Sequence, residues 1–147
     1  MKDREKTKFV YRDALWHGAD MFGTGVASFG HLNGVHVQNV DTWEQYVDLL
    51  RRDELPLGRA LPVRPRELLI REMILQLKTG RLEVDYFRRK FGVDVLREFE
   101  PAYEDLRAAG IVTYEPGEVN VTPDGLLQVD RLLPAFFLPE HRGARYT

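Results

Sequence analysis

A glycine-rich apolar segment is the part of this sequence best suited to build a binding site. Residues 18–39 read GADMFGTGVASFGHLNGVHVQN and contain five glycines, at positions 18, 23, 25, 30 and 34. Glycine inside an extended run usually marks a point where another backbone or a ligand approaches closely. Gly23 and Gly25 lie inside the apolar run of residues 21–29, so this run predicts a buried strand that helps to form a ligand site. Tight packing of the backbone without a ligand is the alternative.

Gly23 and Gly25 match the start of a dinucleotide-binding fingerprint, but the rest of that motif is missing. The fingerprint is Gly-x-Gly-x-x-Gly, and it opens a helix whose N-terminus holds the pyrophosphate. Ser28 stands where the third glycine should be, and no helical pattern follows. A nucleotide site of the Rossmann type is therefore not predicted.

The histidines form no recognisable catalytic or metal-binding pattern. His17, His31, His36 and His141 lack the i, i+4 spacing of a helical zinc site. No Ser-His-Asp arrangement is recognisable. The chain has no cysteine, which excludes disulfides, thiolate metal ligands and cysteine nucleophiles. We therefore predict no catalytic residue and no metal ligand in this chain.

Two arginines near the C-terminus are candidates for binding a carboxylate. They follow Phe136 and Phe137 in the sequence PAFFLPEHRGARYT, and the two phenylalanines predict a tail that docks on the body of the domain. Guanidinium groups bind carboxylates through two parallel hydrogen bonds. Arg142 or Arg145 could therefore meet a carboxylate of a ligand or of a neighbouring domain. A docked tail without such a contact is the alternative.

Length and charge place the chain among ordinary globular proteins. It has 147 residues, of which 44% are hydrophobic and 30% are charged, and its net charge is -2. These values predict one or at most two small domains and give no electrostatic reason to expect a nucleic-acid or membrane partner. The charged start MKDREKTK is not followed by a long apolar stretch, so we expect neither a signal peptide nor a membrane span. The cytoplasm is the default location.

The first half of the chain predicts a short piece of mixed structure. A helical pattern covers residues 9–17, and Asn33-Gly34 predicts a hairpin turn that leads into an extended piece at 35–38. Asp41 is a candidate cap for a helix, since apolar residues follow it at i, i+3, i+4 and i+7 spacing. Residues 55–65 contain three prolines and predict a linker, so we place the main boundary there.

The second half predicts a mostly helical domain. One helix runs from Pro65 to Gly80, and others cover residues 83–91 and 94–109. Pro101 should break the longer of these near Glu100, because proline removes a backbone donor and clashes with the preceding turn. Asp94 is its predicted cap. A hairpin turning at Pro116-Gly117 and a helix from Thr122-Pro123 to about residue 133 follow.

This order of three helices, a hairpin and a helix is that of a winged helix, a fold that often binds DNA. Residues 94–109 occupy the position that would read the major groove. They carry two arginines against five carboxylates, a net charge of -3. DNA affinity depends on neutralising phosphates, so DNA binding is not predicted.

Six phrases of the sequence, in this order, resemble the C-terminal part of oxygen-independent coproporphyrinogen III oxidase and its radical S-adenosylmethionine (SAM) relatives. They are GADMFGTGVASFGHLNGVHVQN, WEQYVDLLRRDELPLGRAL, IREMILQLKTG, KFGVDVLREFE, TPDGLL and FFLPEHRGARYT. The resemblance implies an α+β chain. Residues 1–61 would end an incomplete barrel, with its last strand, a hairpin and a connecting helix, and residues 62–147 would form a winged-helix-like domain over the barrel mouth.

The resemblance also implies a cofactor, a substrate and site residues. In this family a 4Fe–4S cluster on a Cys-x-x-x-Cys-x-x-Cys loop reduces SAM, and two propionate groups of coproporphyrinogen III are oxidatively decarboxylated. Gly25, Ala27, Ser28 and Phe29 would approach SAM at the end of the last strand, through backbone and apolar contacts. Arg142 and Arg145 would be the candidates for binding substrate. Because the chain has no cysteine, we expect it to hold no cofactor and to be inactive on its own.

Three interpretations are open at this point. The chain is the C-terminal fragment of such an enzyme, or a haem-binding, haem-delivering or haem-degrading relative, or a winged-helix domain that binds another protein. In the enzyme, the expected partners are the tetrapyrrole substrate and the missing N-terminal barrel. The exposed edge of the predicted strand at residues 21–29 also predicts self-association, since unpaired edges template pairing with another chain.

Overall fold

The computed structural model describes residues 10–141 of the chain. They form helices and two three-stranded antiparallel sheets, which confirms the predicted α+β class. The chain divides into two compact units, one ending at Leu68 and the other beginning at Leu69. Within residues 10–141, no helix is long and apolar enough to span a membrane. The assignment of residues 1–61 to a barrel and 62–147 to a covering domain stays a prediction.

The first unit contains one three-stranded sheet and the helices α1 and α2. Its strands are in the order β1-β2-β3, and both pairs are antiparallel. Asn33 and Gly34 have φ values of 44° and 76°, the left-handed conformation of a two-residue hairpin turn, so the predicted hairpin is confirmed. The elements are α1 (Val10–Trp16), β1 (Phe29–Leu32), β2 (Val35–Asn39), α2 (Trp43–Arg51) and β3 (Leu57–Pro62).

The strand predicted at residues 21–29 is wrong. Met21 makes one isolated bridge to His31, residues 22–28 form no regular structure, and β1 begins only at Phe29. None of residues 21–29 is buried. Gly25 and Ala27 have φ values of 105° and 58°, which lie outside the extended region and therefore cannot continue a strand. The strand edge that we expected to drive self-association is thus not formed by these residues.

Two further predictions for the first unit are wrong. Residues 55–65 are not a linker, because β3 occupies most of them and pairs with β2. Its prolines are compatible with an edge strand, since Pro56 precedes it and Pro62 is its last residue. The amphipathic helix α2 is confirmed, but Thr42 is its N-cap instead of Asp41, and the Thr42 side chain makes no capping hydrogen bond.

The second unit is mostly helical and follows the predicted order with one addition. Its sheet has the order β4-β6-β5, with antiparallel pairs. Strand β4 was not predicted, because three residues are too few to show a pattern. The elements are α3 (Pro65–Lys78), which begins in the first unit, β4 (Arg81–Glu83), α4 (Val84–Phe91), α5 (Val95–Glu98), α6 (Glu100–Ala108), β5 (Val112–Glu115), β6 (Glu118–Val121), α7 (Pro123–Leu132) and two short 3-10 helices, Leu133–Phe136 and Pro139–His141.

Local signals in the second unit are confirmed. The Asp94 carboxylate accepts hydrogen bonds from two backbone N–H groups of α5 and so caps it. Pro101 lies in the first turn of α6, where its missing N–H is tolerated, and the predicted break falls at Phe99. Thr122 caps α7 by accepting a hydrogen bond from the N–H of Gly125.

A hydrophobic core fills the second unit. Phe136, in the predicted tail, is buried and packs against Tyr103 with ring centroids 5.0 Å apart, which confirms that this part of the tail docks. The buried core residues are Leu69, Ile70, Met73, Leu77, Leu82, Val84, Phe87, Val95, Tyr103, Leu106, Ile111, Val112, Val119, Leu133 and Phe136.

One carboxylate is buried beside this core. Glu72 on α3 is 0% exposed, and its oxygens accept hydrogen bonds from the Tyr86 hydroxyl at 2.6 Å and from Lys90 Nζ at 2.8 and 2.9 Å. A buried charge is tolerated only when it is paired and hydrogen-bonded. These contacts therefore hold α4, which carries Tyr86 and Lys90, against α3.

Two tyrosines of this unit have different hydroxyl environments. Burial, then the hydrogen bond to Glu72, raises the pKa of Tyr86. Burial also raises the pKa of Tyr103, whose hydroxyl has no hydrogen-bond partner among the described residues. An unfolded chain loses these phenolic protons near pH 10, whereas the folded chain retains them. The free energy of unfolding should therefore fall as the pH rises above about 10.

Tyr103→Phe is expected to change the free energy of unfolding at pH 7 by less than about 0.5 kcal/mol, or to increase it, because the lost hydroxyl is buried without a partner. Above pH 10 this variant should become more stable than the wild type. Tyr86→Phe, the matched control, should lose about 2 kcal/mol at pH 7, since it removes a hydrogen bond to a charged group. Urea unfolding followed by circular dichroism tests this, and a large loss in Tyr103→Phe would contradict it.

Candidate functional site

The glycine loop, which we define as residues 22–28, lies between two anchored ends. Before it, the N–H and C=O of Met21 both hydrogen-bond to His31 at 2.8 Å. After it, Phe29 begins β1 and pairs with Gln38. The carboxylate of Asp20 also accepts a hydrogen bond from the N–H of Asn33 in the hairpin turn, at 2.8 Å. The hairpin therefore fixes where the loop starts and ends.

The backbone of the glycine loop turns sharply and folds against the end of β2. Gly25 and Ala27 both have positive φ values, and such a value is uncommon for alanine. The N–H of Ala27 donates to the C=O of Val40 at 2.9 Å, and the N–H of Asn39 donates to the C=O of Ser28 at 2.9 Å. Unusual backbone conformations held by their surroundings cluster at ligand-binding sites, which makes this loop a candidate.

Two side chains from outside the loop bind its backbone. Asn39 Nδ2 donates to the carbonyl oxygens of Gly23 at 3.0 Å and Gly25 at 2.8 Å, and the Tyr46 hydroxyl accepts a hydrogen bond from the N–H of Gly25 at 2.9 Å. Neither residue was predicted from the sequence. A signal for Asn39 was present, since strand alternation puts it on the same face as buried Val37, where an amide needs partners.

Close backbone contacts explain two of the glycines. A Cβ atom on Gly23 would lie 2.2 Å from the carbonyl oxygen of Phe29, and one on Gly30 would lie 2.8 Å from that of Met21. Neither distance is possible for a real side chain. Tight backbone packing therefore accounts for Gly23 and Gly30, whereas Gly25 is required by its φ of 105°.

The structure brings the four predicted cofactor contacts together in one short segment. Gly25, Ala27 and Ser28 are half-buried, and Phe29 is 65% exposed. Several of their backbone groups are already used within the unit, since Gly25 is bonded through its N–H and C=O, Ala27 through its N–H and Ser28 through its C=O. Their side chains supply one hydroxyl and one aromatic ring and no ionisable group. This combination suits recognition by apolar and hydroxyl contacts and not acid-base chemistry. The two predicted substrate contacts, Arg142 and Arg145, lie outside the described residues.

The histidines are placed without a metal-binding arrangement. His31 on β1 is 2% exposed, and its ring meets that of His36 on β2 edge-on, with centroids 4.8 Å apart. His17 contacts the backbone oxygen of Asp13 through Nδ1 at 2.7 Å. In the part of the chain that the structure describes, no group of three or more His, Cys, Asp or Glu side chains could hold a metal ion.

The second unit contains a cavity of about 300 Å³. Three of the side chains that line this cavity carry a carboxylate, and one carries a guanidinium group. This charge does not favour an anionic ligand, so we do not regard the cavity as a site for one. The lining residues are Asp94, Leu96, Arg97, Glu100, Tyr103, Glu104 and Tyr114.

Gly23→Ala is expected to rearrange the glycine loop, because the new Cβ would overlap the carbonyl oxygen of Phe29. Amide signals of Gly25 and Ser28 in ¹H–¹⁵N spectra of the chain should shift. Gly34→Ala is the matched control, since its Cβ meets no atom within 4 Å and adds only the strain of a positive φ, about 1 kcal/mol. It should leave those loop signals in place. Unshifted loop signals in Gly23→Ala would contradict this packing.

Comparison with known protein sequences finds relatives of one kind. No protein family model matches the chain. It is 27% identical over 119 residues to oxygen-independent coproporphyrinogen III oxidase from one strain of Helicobacter pylori, and 26% identical over 119 residues to the same enzyme from a second strain. Each match covers 78% of this chain and 26% of the enzyme. The chain thus spans about a quarter of the length of these relatives.

Comparison with solved structures finds the same enzyme type. Coproporphyrinogen III oxidase from Escherichia coli, described as a radical SAM enzyme, matches with a TM-score of 0.65 and 19% sequence identity. The match covers 80% of this chain and 28% of the enzyme. At this identity the structural match shows a shared fold. The resemblance drawn from the sequence phrases is therefore confirmed, and the chain is similar to the C-terminal region of oxygen-independent coproporphyrinogen III oxidase.

Proposed function

We propose that this chain is the C-terminal part of a radical SAM enzyme of tetrapyrrole metabolism, similar to oxygen-independent coproporphyrinogen III oxidase and cytoplasmic. In that enzyme the glycine loop forms one wall of the SAM site, and the second unit is a winged-helix-like domain that covers and shapes the substrate pocket. The observation that carries the proposal is the fixed glycine loop, which sets Gly25, Ala27, Ser28 and Phe29 side by side in a chain similar to this enzyme.

The residues present fit one of the two cofactors that the proposal requires. SAM has an apolar and a polar part, and the loop offers the Ser28 hydroxyl next to the exposed ring of Phe29. A radical SAM cofactor supplies the radical that starts oxidation of the substrate. The iron-sulfur cluster does not fit this chain, because the chain has no cysteine to bind iron. The cluster ligands must therefore come from another part of the enzyme, and we expect this chain alone to be inactive.

In this enzyme the glycine loop would position the cofactor and would take no part in the chemical reaction. The Ser28 hydroxyl, which donates to the carbonyl oxygen of Thr24 at 2.8 Å, can accept a hydrogen bond from the cofactor, and the ring of Phe29 can exclude water from one side of it. Loop groups held by the hairpin do not need to be ordered when the cofactor binds, which favours affinity. Arg142 and Arg145 stay proposed contacts for a propionate group of the substrate, since a guanidinium binds a carboxylate in a bidentate way.

The two histidines considered for haem binding differ in exposure. The ring of His31 is 2% exposed and cannot reach a haem iron unless the sheet opens, whereas His36 is half-buried, so burial disfavours only His31 as an iron ligand. Titration with haem separates the two functions. The enzyme proposal predicts no saturable Soret shift at one equivalent. A shift that is lost in a His31→Ala, His36→Ala variant would favour haem binding instead.

The first test of the proposal is the reading frame that encodes this chain. We expect it to contain a Cys-x-x-x-Cys-x-x-Cys loop on the N-terminal side of these residues. The encoded protein, purified and reconstituted without oxygen, should cleave SAM and decarboxylate coproporphyrinogen III. A frame that lacks the cysteine loop, or a reconstituted protein that does not cleave SAM, would contradict the proposal.

Phe29→Ala in that protein is expected to raise the KM for SAM by roughly three- to tenfold with little change in kcat, because about 1 kcal/mol of apolar contact is lost. Phe22→Ala is the matched control. Phe22 is also exposed, at the other end of the loop, and is outside the proposed contact set. Equal effects of the two substitutions would contradict a specific role of Phe29.

A further inference from the structure

Asn39 is a buried polar residue that uses its amide on the glycine loop. Its side chain is 3% exposed, and Nδ2 donates to two carbonyl oxygens, those of Gly23 and Gly25. Because both partners are acceptors, only the NH₂ group can face them, which fixes the orientation of the amide. Both amide hydrogens are then used on one loop.

Tyr46 holds the same residue of the loop through its other backbone group. Its hydroxyl, on helix α2, accepts a hydrogen bond from the N–H of Gly25. Gly25 is thus held through its N–H by Tyr46 and through its C=O by Asn39. Its φ of 105° lies in a region that only glycine adopts without strain, so these two hydrogen bonds select a particular backbone conformation.

The pairing of β2 with β3 is irregular opposite Asn39. The two strands pair in regular register from Val35 to Gln38, and the register then shifts, because Gln38 pairs with Arg59 and Asn39 pairs with Leu57. The extra residue is Gly58, so the bulge lies in β3, and such bulges are frequent next to functional sites. The shift occurs at the one residue of β2 whose side chain binds two loop carbonyls.

We propose that Asn39 and Tyr46 are positioning residues for the SAM-binding wall. They do not touch the cofactor. They fix Gly25, and through it they fix the path of the backbone to Ala27, Ser28 and Phe29. This inference rests on the proposed function, because it assumes that these residues meet SAM. A loop that is held in its binding conformation before SAM arrives loses less conformational entropy on binding.

The hydrogen bonds to the loop are tested first in the 147-residue chain. Tyr46→Phe keeps the ring and removes the acceptor, so exchange of the Gly25 amide hydrogen should become at least tenfold faster. Asn39→Asp keeps the shape and turns a donor into a carboxylate that faces two carbonyl oxygens, so the amide signals of residues 23–28 should shift. Gln45→Glu is the matched control, since it makes the same kind of change at an exposed position next to Tyr46 on α2. Unchanged exchange and unchanged signals would overturn the inference without any use of SAM.

The link to the cofactor is tested in the reconstituted longer protein. Asn39→Asp is expected to raise the KM for SAM about tenfold and Tyr46→Phe about threefold, with kcat within twofold of wild type, whereas Gln45→Glu should change neither. A purely structural role would lower the amount of active enzyme and leave KM unchanged, which would overturn the inference. If Phe29→Ala raises the KM for SAM and Asn39→Asp does not, only the positioning role of Asn39 and Tyr46 is contradicted. If neither substitution raises this KM, the proposed contact between the glycine loop and SAM is contradicted as well.

Discussion

The side-chain amide of Asn39 has to find hydrogen-bond acceptors, because it is almost completely buried at the end of β2. It finds them in two carbonyl groups of the glycine loop, so satisfying this one amide also fixes the path of the loop. The backbone bond from Asn39 to Ser28 then brings the end of the loop to the same place. The positive φ values of Gly25 and Ala27 follow from this path and are tolerated because it is held.

The two units are stabilised by different interactions. The second unit has a continuous apolar core and a buried carboxylate that pairs with Tyr86 and Lys90. In the described part of the first unit, Val37 and Pro56 are the only apolar side chains that are buried. Helix α2 has an apolar face but no buried residue, although such a face normally supplies most of a helix's stability by packing. We expect so few buried apolar side chains in a segment that completes a larger domain.

Features that depend on local chemistry could be predicted from the sequence. Asn33-Gly34 specifies its turn through residues that accept positive φ, and Asp94 and Pro101 mark helix starts because they act on neighbouring backbone groups. The strand predicted at residues 21–29 failed because apolar composition does not reveal a left-handed alanine at position 27. The prolines around β3 suggested a linker, since pairing with β2 cannot be read from local sequence. The contacts of Asn39 and Tyr46 were missed for the same reason, because both reach across more than ten residues.

The most direct test is a crystal structure, with SAM bound, of the longer enzyme that we propose contains this chain. We predict that atoms of SAM lie within van der Waals contact, about 4 Å, of Ala27, Ser28 or Phe29. We also predict that Asn39 Nδ2 still donates to the carbonyl oxygens of Gly23 and Gly25, as it does without the cofactor. SAM bound away from the glycine loop, or a loop that releases Asn39 when SAM binds, would contradict these predictions.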